Sequence, residues 1–196
     1  MSKSGPRIDA VLPEAIAIPG CAPVRRVIHQ DPRGFLMETM RRDDASIAGD
    51  RFAMSYTSVT VPGEFRDKDR WHVHKIQSDR FVVPLGEMVL ALYDGRPGSK
   101  TAGRLEVVRM KGAPLGAPGH AERRDLPSSL VPIPPGVYHC IGNLSPAPYV
   151  LVNFPTELYN ADDEGRVPFT QVSIPSLGRP FAWELVSAPV EGESGG

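Results

Sequence analysis

Apolar positions in this chain come in short runs, not in long helical stripes. RFAMSYTSVTV (51–61), RFVVPLGEMVLALYD (80–94), GRLEVVRM (103–110), SLVPIP (129–134) and YVLVNF (149–154) are rich in β-branched and aromatic residues and bounded by Gly, Pro, Asn or Asp. That is the pattern of β-strands separated by turns. No window sustains a 3.6-residue periodicity over several turns, and neither a repeat nor a heptad emerges. The 21 prolines and 19 glycines cut the chain into pieces too short for helices. An all-β sandwich or barrel is predicted. KGAPLGAPGHAE (111–122) reads as a surface loop, and the C-terminal PVEGESGG reads as disordered.

Length and composition narrow the classes. With 196 residues, 41% of them hydrophobic, the chain is long enough for one domain with a true core. The expected division is an N-terminal extension over 1–22, a barrel domain over 23–186 and a disordered tail over 187–196. A net charge of −1 from 22 basic and 23 acidic residues provides no field to gather nucleic acid or an anionic membrane. No signal-like or membrane-spanning apolar run is present, so a soluble cytoplasmic protein is expected. Cys21 and Cys140 make neither a disulfide framework nor a CxxC clip.

Chemistry concentrates in RWHVHKIQSDRFVVPLG (70–86). His72 and His74 sit two apart, so on a strand both imidazoles project from one face. A second stretch, PIPPGVYHCIGN (132–143), carries His139. The first reads H-x-H, four residues, Asp79, six residues, Gly86; the second reads P-x-G-x-x-H-x-x-x-N through Pro134, Gly136, His139 and Asn143. In this order and spacing they resemble the two cupin motifs, with Asp79 where Glu is usual. The resemblance implies a jelly-roll barrel that gathers the three histidines at its mouth.

A narrower resemblance spans residues 31 to 165. DPRGFLMETMR (31–41), through Asp31, Arg33, Gly34 and Glu38, with Phe35 as the adjacent aromatic, is similar to the N-terminal stretch of dTDP-4-dehydrorhamnose 3,5-epimerases. YDGRPGSKTAG (93–103), IPPGVYHCIGNLS (133–145) and TELYNADDEGRVPF (156–169) resemble three further stretches of that family in the same order. RWHVHK also looks like a motif of the TDP-4-keto-6-deoxyhexose 3,4-ketoisomerases, through His72, His74 and Lys75.

These resemblances imply a homodimeric cupin that takes a nucleotide-sugar and moves a proton next to a carbonyl. His72 would be the base, with His74 and His139 as partners in charge stabilisation. Histidine suits that role because its ordinary pKa of about 6.5 lies near operating pH. Arg33, Phe35, Glu38, Arg70, Asn153 and Tyr159 would contact substrate, Arg33 and Glu38 at the nucleotide end and from the neighbouring subunit. The family's acid is a tyrosine at the position of Asn153, and its late S-x-K-D aspartate has no counterpart, so exchange at a single carbon is expected. Tyr138 and Tyr159 are the nearest alternative acids by motif. No cofactor is required on this reading. Two other readings stand beside it: a metal-dependent cupin, oxygenase or isomerase, with Fe, Mn, Ni or Zn on His72, His74, Asp79 and His139, and a non-catalytic nucleotide-sugar-binding pocket.

Overall fold

The computed structural model describes residues 7–44, 52–114 and 124–187. Thirteen strands follow in chain order: β1 (Val24–Asp31), β2 (Gly34–Met37), β3 (Tyr56–Thr60), β4 (Arg70–His74), β5 (Asp79–Leu85), β6 (Glu87–Asp94), β7 (Leu105–Lys111), β8 (Arg124–Ile133), β9 (Val137–Gly142), β10 (Tyr149–Asn153), β11 (Glu164–Pro168), β12 (Ser173–Ile174) and β13 (Arg179–Pro180). The helices among the described residues are three single 3-10 turns. None is long and apolar enough to cross a membrane.

Two curled antiparallel sheets face each other in a jelly-roll arrangement. One has six strands in the order β2-β1-β8-β5-β10-β3, the other five in the order β11-β4-β9-β6-β7, and β12 and β13 form a separate ribbon. Phe81 and Val83 of β5, Leu130's neighbour Val131 of β8 and Leu151 of β10 meet Met88, Leu90 and Leu92 of β6 and Ile141 of β9 between the sheets. Alternate residues face outward, Val82 and Leu130 beneath Phe154, and Val89, Ala91 and Cys140 beneath Phe169, Phe181 and Trp183. Both faces of β5 and β6 are thus covered, which is why their sequence is continuously apolar and not alternating.

The same alternation aims the histidines. Trp71 is fully buried in the outer aromatic cluster, its ring 5.1 Å from Phe169 and 5.2 Å from Phe181. With Trp71 anchored outward, His72 and His74 must face the barrel interior. Truncating Trp71 to Ala would cost about 3–5 kcal/mol and release that facing.

Gly86 separates β5 from β6, dividing the 80–94 run into two strands. Its φ is +78°, and a Cβ there would come within 2.4 Å of the Pro148 carbonyl oxygen, so only glycine fits. Residues 7–22 pack along the barrel: Ile8 bridges Val186, Val11 bridges Val108, and Ile18 and Cys21 enter the core between the sheets. Most of the 111–122 loop, His120 included, and residues 188–196 of the expected tail lie outside the described residues.

Candidate active site

His72 on β4 is the register partner of His139 on β9, and the two rings stack with centroids 5.1 Å apart and planes 16° from parallel. His74 lies alongside, its ring 4.6 Å from that of His72. The three imidazoles predicted to meet do meet. Asp79, at the start of β5 in the opposite sheet, reaches across to them. Its Oδ2 lies 3.3 Å from His139 Nε2 and 3.5 Å from His74 Nε2. Its Oδ1 accepts from Gln77 Nε2 at 2.9 Å and from Asn153 Nδ2 at 2.7 Å. Burial by itself would raise the Asp79 pKa, but hydrogen bonds from His139, His74 and Asn153 hold it well below the usual carboxylate range.

His74 is held on both sides. Its Nδ1 lies 3.2 Å from Asp163 Oδ2, and Asp163 accepts the backbone N–H groups of Lys75, Ile76 and Gln77 at 3.0, 2.7 and 3.1 Å. One carboxylate therefore fixes both the β4–β5 turn and the imidazole. Burial opposes a charge on His74, but the hydrogen bonds and charges of Asp79 and Asp163 outweigh it and raise the pKa. Gln77 Nε2, 3.1 Å from His74 Nε2, donates there whenever that nitrogen is unprotonated.

His72 has the opposite character. Burial, followed by repulsion from His139 and His74, lowers its pKa to about 3. The ring is neutral throughout the physiological range, with a lone pair available. Its Nε2 is buried without a hydrogen bond, 3.5 Å from Glu164 Oε1. The facing carboxylate favours the tautomer with the proton on Nε2 and the lone pair on Nδ1. Glu164 and Arg166 are the cross-strand partners of His74 and His72, and they pair with each other. Phe81 closes the floor, edge-on to His139 with centroids 5.6 Å apart.

The cluster is a hydrogen-bonded network. Metal ligation would bring His nitrogens and a carboxylate to about 2.0–2.2 Å from one point. Among the described residues no group of three or more His, Cys, Asp or Glu side chains has that geometry. The set His72, His74, Asp79 and His139 thus converges, but with Asp79 bonded to histidines and amides.

The remaining predicted residues divide by location. Asn153 is fully buried beside Asp79, accepting the Arg80 N–H at 2.9 Å through Oδ1 and donating to Tyr56 Oη at 3.0 Å. Tyr159 is 72% exposed and lines a surface cavity of about 660 Å³ with Phe52, Ile76, Leu158 and Asp163. Arg70, at the start of β4, is exposed and pairs with Asp69, while the cross-strand neighbour of His72 is Arg166. Arg33, Phe35 and Glu38 are on the β1–β2 hairpin, at the sheet edge opposite Asn153. Arg33 is bonded to Asp31, and Glu38 to Arg41. Tyr138 packs edge-on against Tyr93 in the outer layer, away from the histidines, and Cys140 packs there too.

Tyr56, Asp163, Gln77 and Arg166 are site residues that motif reading does not single out. Asp163 is 89 residues from His74, and Tyr56 is 97 from Asn153. Only the alternation of Glu164 and Arg166 beside an H-x-H strand is a usable signal.

The probable low-salt glycan biosynthesis epimerase Agl13 of Haloferax volcanii is 32% identical to this chain over 145 residues, covering 72% of this chain and 82% of that protein. The chain belongs to the dTDP-4-dehydrorhamnose 3,5-epimerase-like family of cupins. The spore coat polysaccharide biosynthesis protein SpsL of Bacillus subtilis is 32% identical to this epimerase-like cupin over 148 residues, 74% of this chain and 86% of that one. No family model matches the sequence. Among solved structures, the dTDP sugar isomerase of Desulfovibrio desulfuricans superposes with a TM-score of 0.62 at 26% identity, covering 86% of this chain and 95% of that one. ChmJ, a 3'-monoepimerase from Streptomyces bikiniensis solved with dTDP-quinovose, superposes with a TM-score of 0.61 at 26% identity, covering 85% and 80%. The jelly-roll architecture and the epimerase-like relationship expected from the motifs both hold.

Proposed function

We propose that this epimerase-like cupin binds a dTDP-4-keto-6-deoxyhexose and moves a proton on a carbon next to the carbonyl, with His72 as general base. The observation that carries this reading is the split within one histidine cluster. His72 is held neutral while His74, between Asp79 and Asp163, is held toward its charged form. A carbon acid beside a ketone needs both: an unprotonated base at the C–H, and positive charge or N–H donors where the enolate oxygen develops. Asp79 and Asp163 support His74, and the carboxylate nearest the base is Glu164, 3.5 Å from His72 Nε2. His74 or His139 is the electrostatic partner.

The nucleotide end falls to Tyr159 at the rim cavity and to Arg33, Phe35 and Glu38. Within one chain the hairpin carrying the latter three is at the far edge of the six-stranded sheet from Asn153. It therefore serves the site of a second copy, which makes the active form a homodimer. No step in this reading passes through a metal.

Incubation with dTDP-4-keto-6-deoxyglucose in deuterated water tests it. Wild type is expected to place deuterium next to the carbonyl, and His72→Asn to abolish the label while keeping the fold. Tight binding of the dTDP-sugar with no label would leave a non-catalytic pocket as the better reading.

A further inference from the structure

Tyr56 is the cross-strand partner of Asn153, so the two side chains leave the sheet on one face. That face also carries Phe81, the partner of Asn153 on β5, and Asp79 two residues before it. Asn153 Oδ1 accepts the Arg80 N–H, which sets the amide's orientation and leaves both amide protons to donate, one to Asp79 Oδ1 and one to Tyr56 Oη. The phenol oxygen is thus already an acceptor, and among the described residues no partner takes the phenol's own proton. Tyr56 keeps 44% of its surface exposed, at the open edge of the barrel.

We propose that Tyr56 is the proton donor on the face of the bound sugar opposite His72. His72 belongs to the five-stranded sheet and Tyr56 to the six-stranded one, so a sugar ring held between the sheets presents one face to each. His72 takes the proton of the carbon beside the ketone, and the C–H electron pair moves toward the carbonyl oxygen. As the enolate returns to the ketone, its carbon takes the phenol proton from the other side. The O–H bond breaks, a C–H bond forms with inverted configuration, and the phenolate, held by the Asn153 N–H, is reprotonated by water as His72 releases the abstracted proton to solvent. The balance needs no oxidant or other co-reactant. Burial of the phenol and then the Asp79 charge raise the Tyr56 pKa, so the group carries its proton at neutral pH. Asn153, at the position where the resemblance implies a tyrosine, holds a phenol supplied by the neighbouring strand.

This inference rests on the function proposed above, and the experiment separates the two. With dTDP-4-keto-6-deoxyglucose in deuterated water, wild type is expected to give labelled, inverted sugar. Tyr56→Phe should retain His72-dependent label in the uninverted sugar while inverted product falls by about 10²–10⁴-fold, the usual range for a lost general acid. Incorporating 3-fluorotyrosine at position 56, which preserves size and lowers the phenol pKa, should move the alkaline limb of the inversion rate to lower pH. Undiminished inversion by Tyr56→Phe, loss of label and inversion in parallel, or an unmoved alkaline limb would each overturn the role of Tyr56 with His72 still the base. Absence of label in wild type would overturn both readings.

Discussion

His72 and His139 face each other across β4 and β9 with their rings stacked 5.1 Å apart. Two imidazoles this close repel when charged, and the repulsion from His139 is the largest charge effect on His72. Asp79 lies at hydrogen-bonding distance from His139 and His74 on the far side. Positive charge in the cluster is drawn toward the carboxylates, and His72 is left neutral. The pKa values of two identical side chains, His72 and His74, thus move in opposite directions through their neighbours alone.

Asp79 is expected to be the most sensitive residue of the network. Asp79→Ala removes the acceptor shared by Gln77, Asn153, His74 and His139 and leaves these groups buried and unpaired. A loss of about 3–5 kcal/mol, measured by urea denaturation at pH 7, is expected. A loss below about 1 kcal/mol would show that water replaces the carboxylate.

Acid should expose the cost of burying His72. Its pKa is about 6.5 in the unfolded chain and about 3 in the fold. Between these values the unfolded state binds a proton that the folded state does not, so stability falls as pH drops from 6.5 toward 3. His74 acts with the opposite sign, since its raised pKa gives stability that is present below 6.5 and lost as pH rises through its folded value. Relative to pH 7, His72 should cost on the order of 2 kcal/mol near pH ~4.5. His72→Gln should remove that part of the dependence in guanidinium unfolding; parallel curves would contradict the assignment.

Arg33→Ala should weaken dTDP-sugar binding by about tenfold to a hundredfold, as for loss of a charge-assisted contact. Exchange at saturating substrate should stay near the wild-type rate, because the hairpin touches no residue of the histidine cluster within its own chain. Calorimetry measures the first effect. Sedimentation should show a dimer, and a monomer with full affinity would rule out a shared site.

Dialysis against EDTA is expected to leave both deuterium exchange and the melting temperature unchanged, since Asp79 is occupied by histidines and amides. A fall in melting temperature that Mn, Fe, Ni or Zn restores would indicate metal on this cluster.

What the sequence determined by itself follows from short-range rules. Spacing of two puts His72 and His74 on one strand face, with Trp71 aimed the other way; Gly86 marks a turn; apolar runs bounded by Gly and Pro mark strands. Two motifs in order bring His139 to the same place, and the family follows from stretches that keep their order along the chain. Motif logic scans near the histidines in sequence, and Tyr138, next to His139, faces outward by the very alternation that turns His139 inward. Only the tertiary structure pairs Tyr56 with Asn153 and Asp163 with His74, 97 and 89 residues apart. Strand order and register decide which residues become neighbours, and these depend on how two whole faces pack. The charges were equally hidden, since a histidine's pKa is set by burial and by carboxylates from other strands, and His72 and His74 receive different amounts of each.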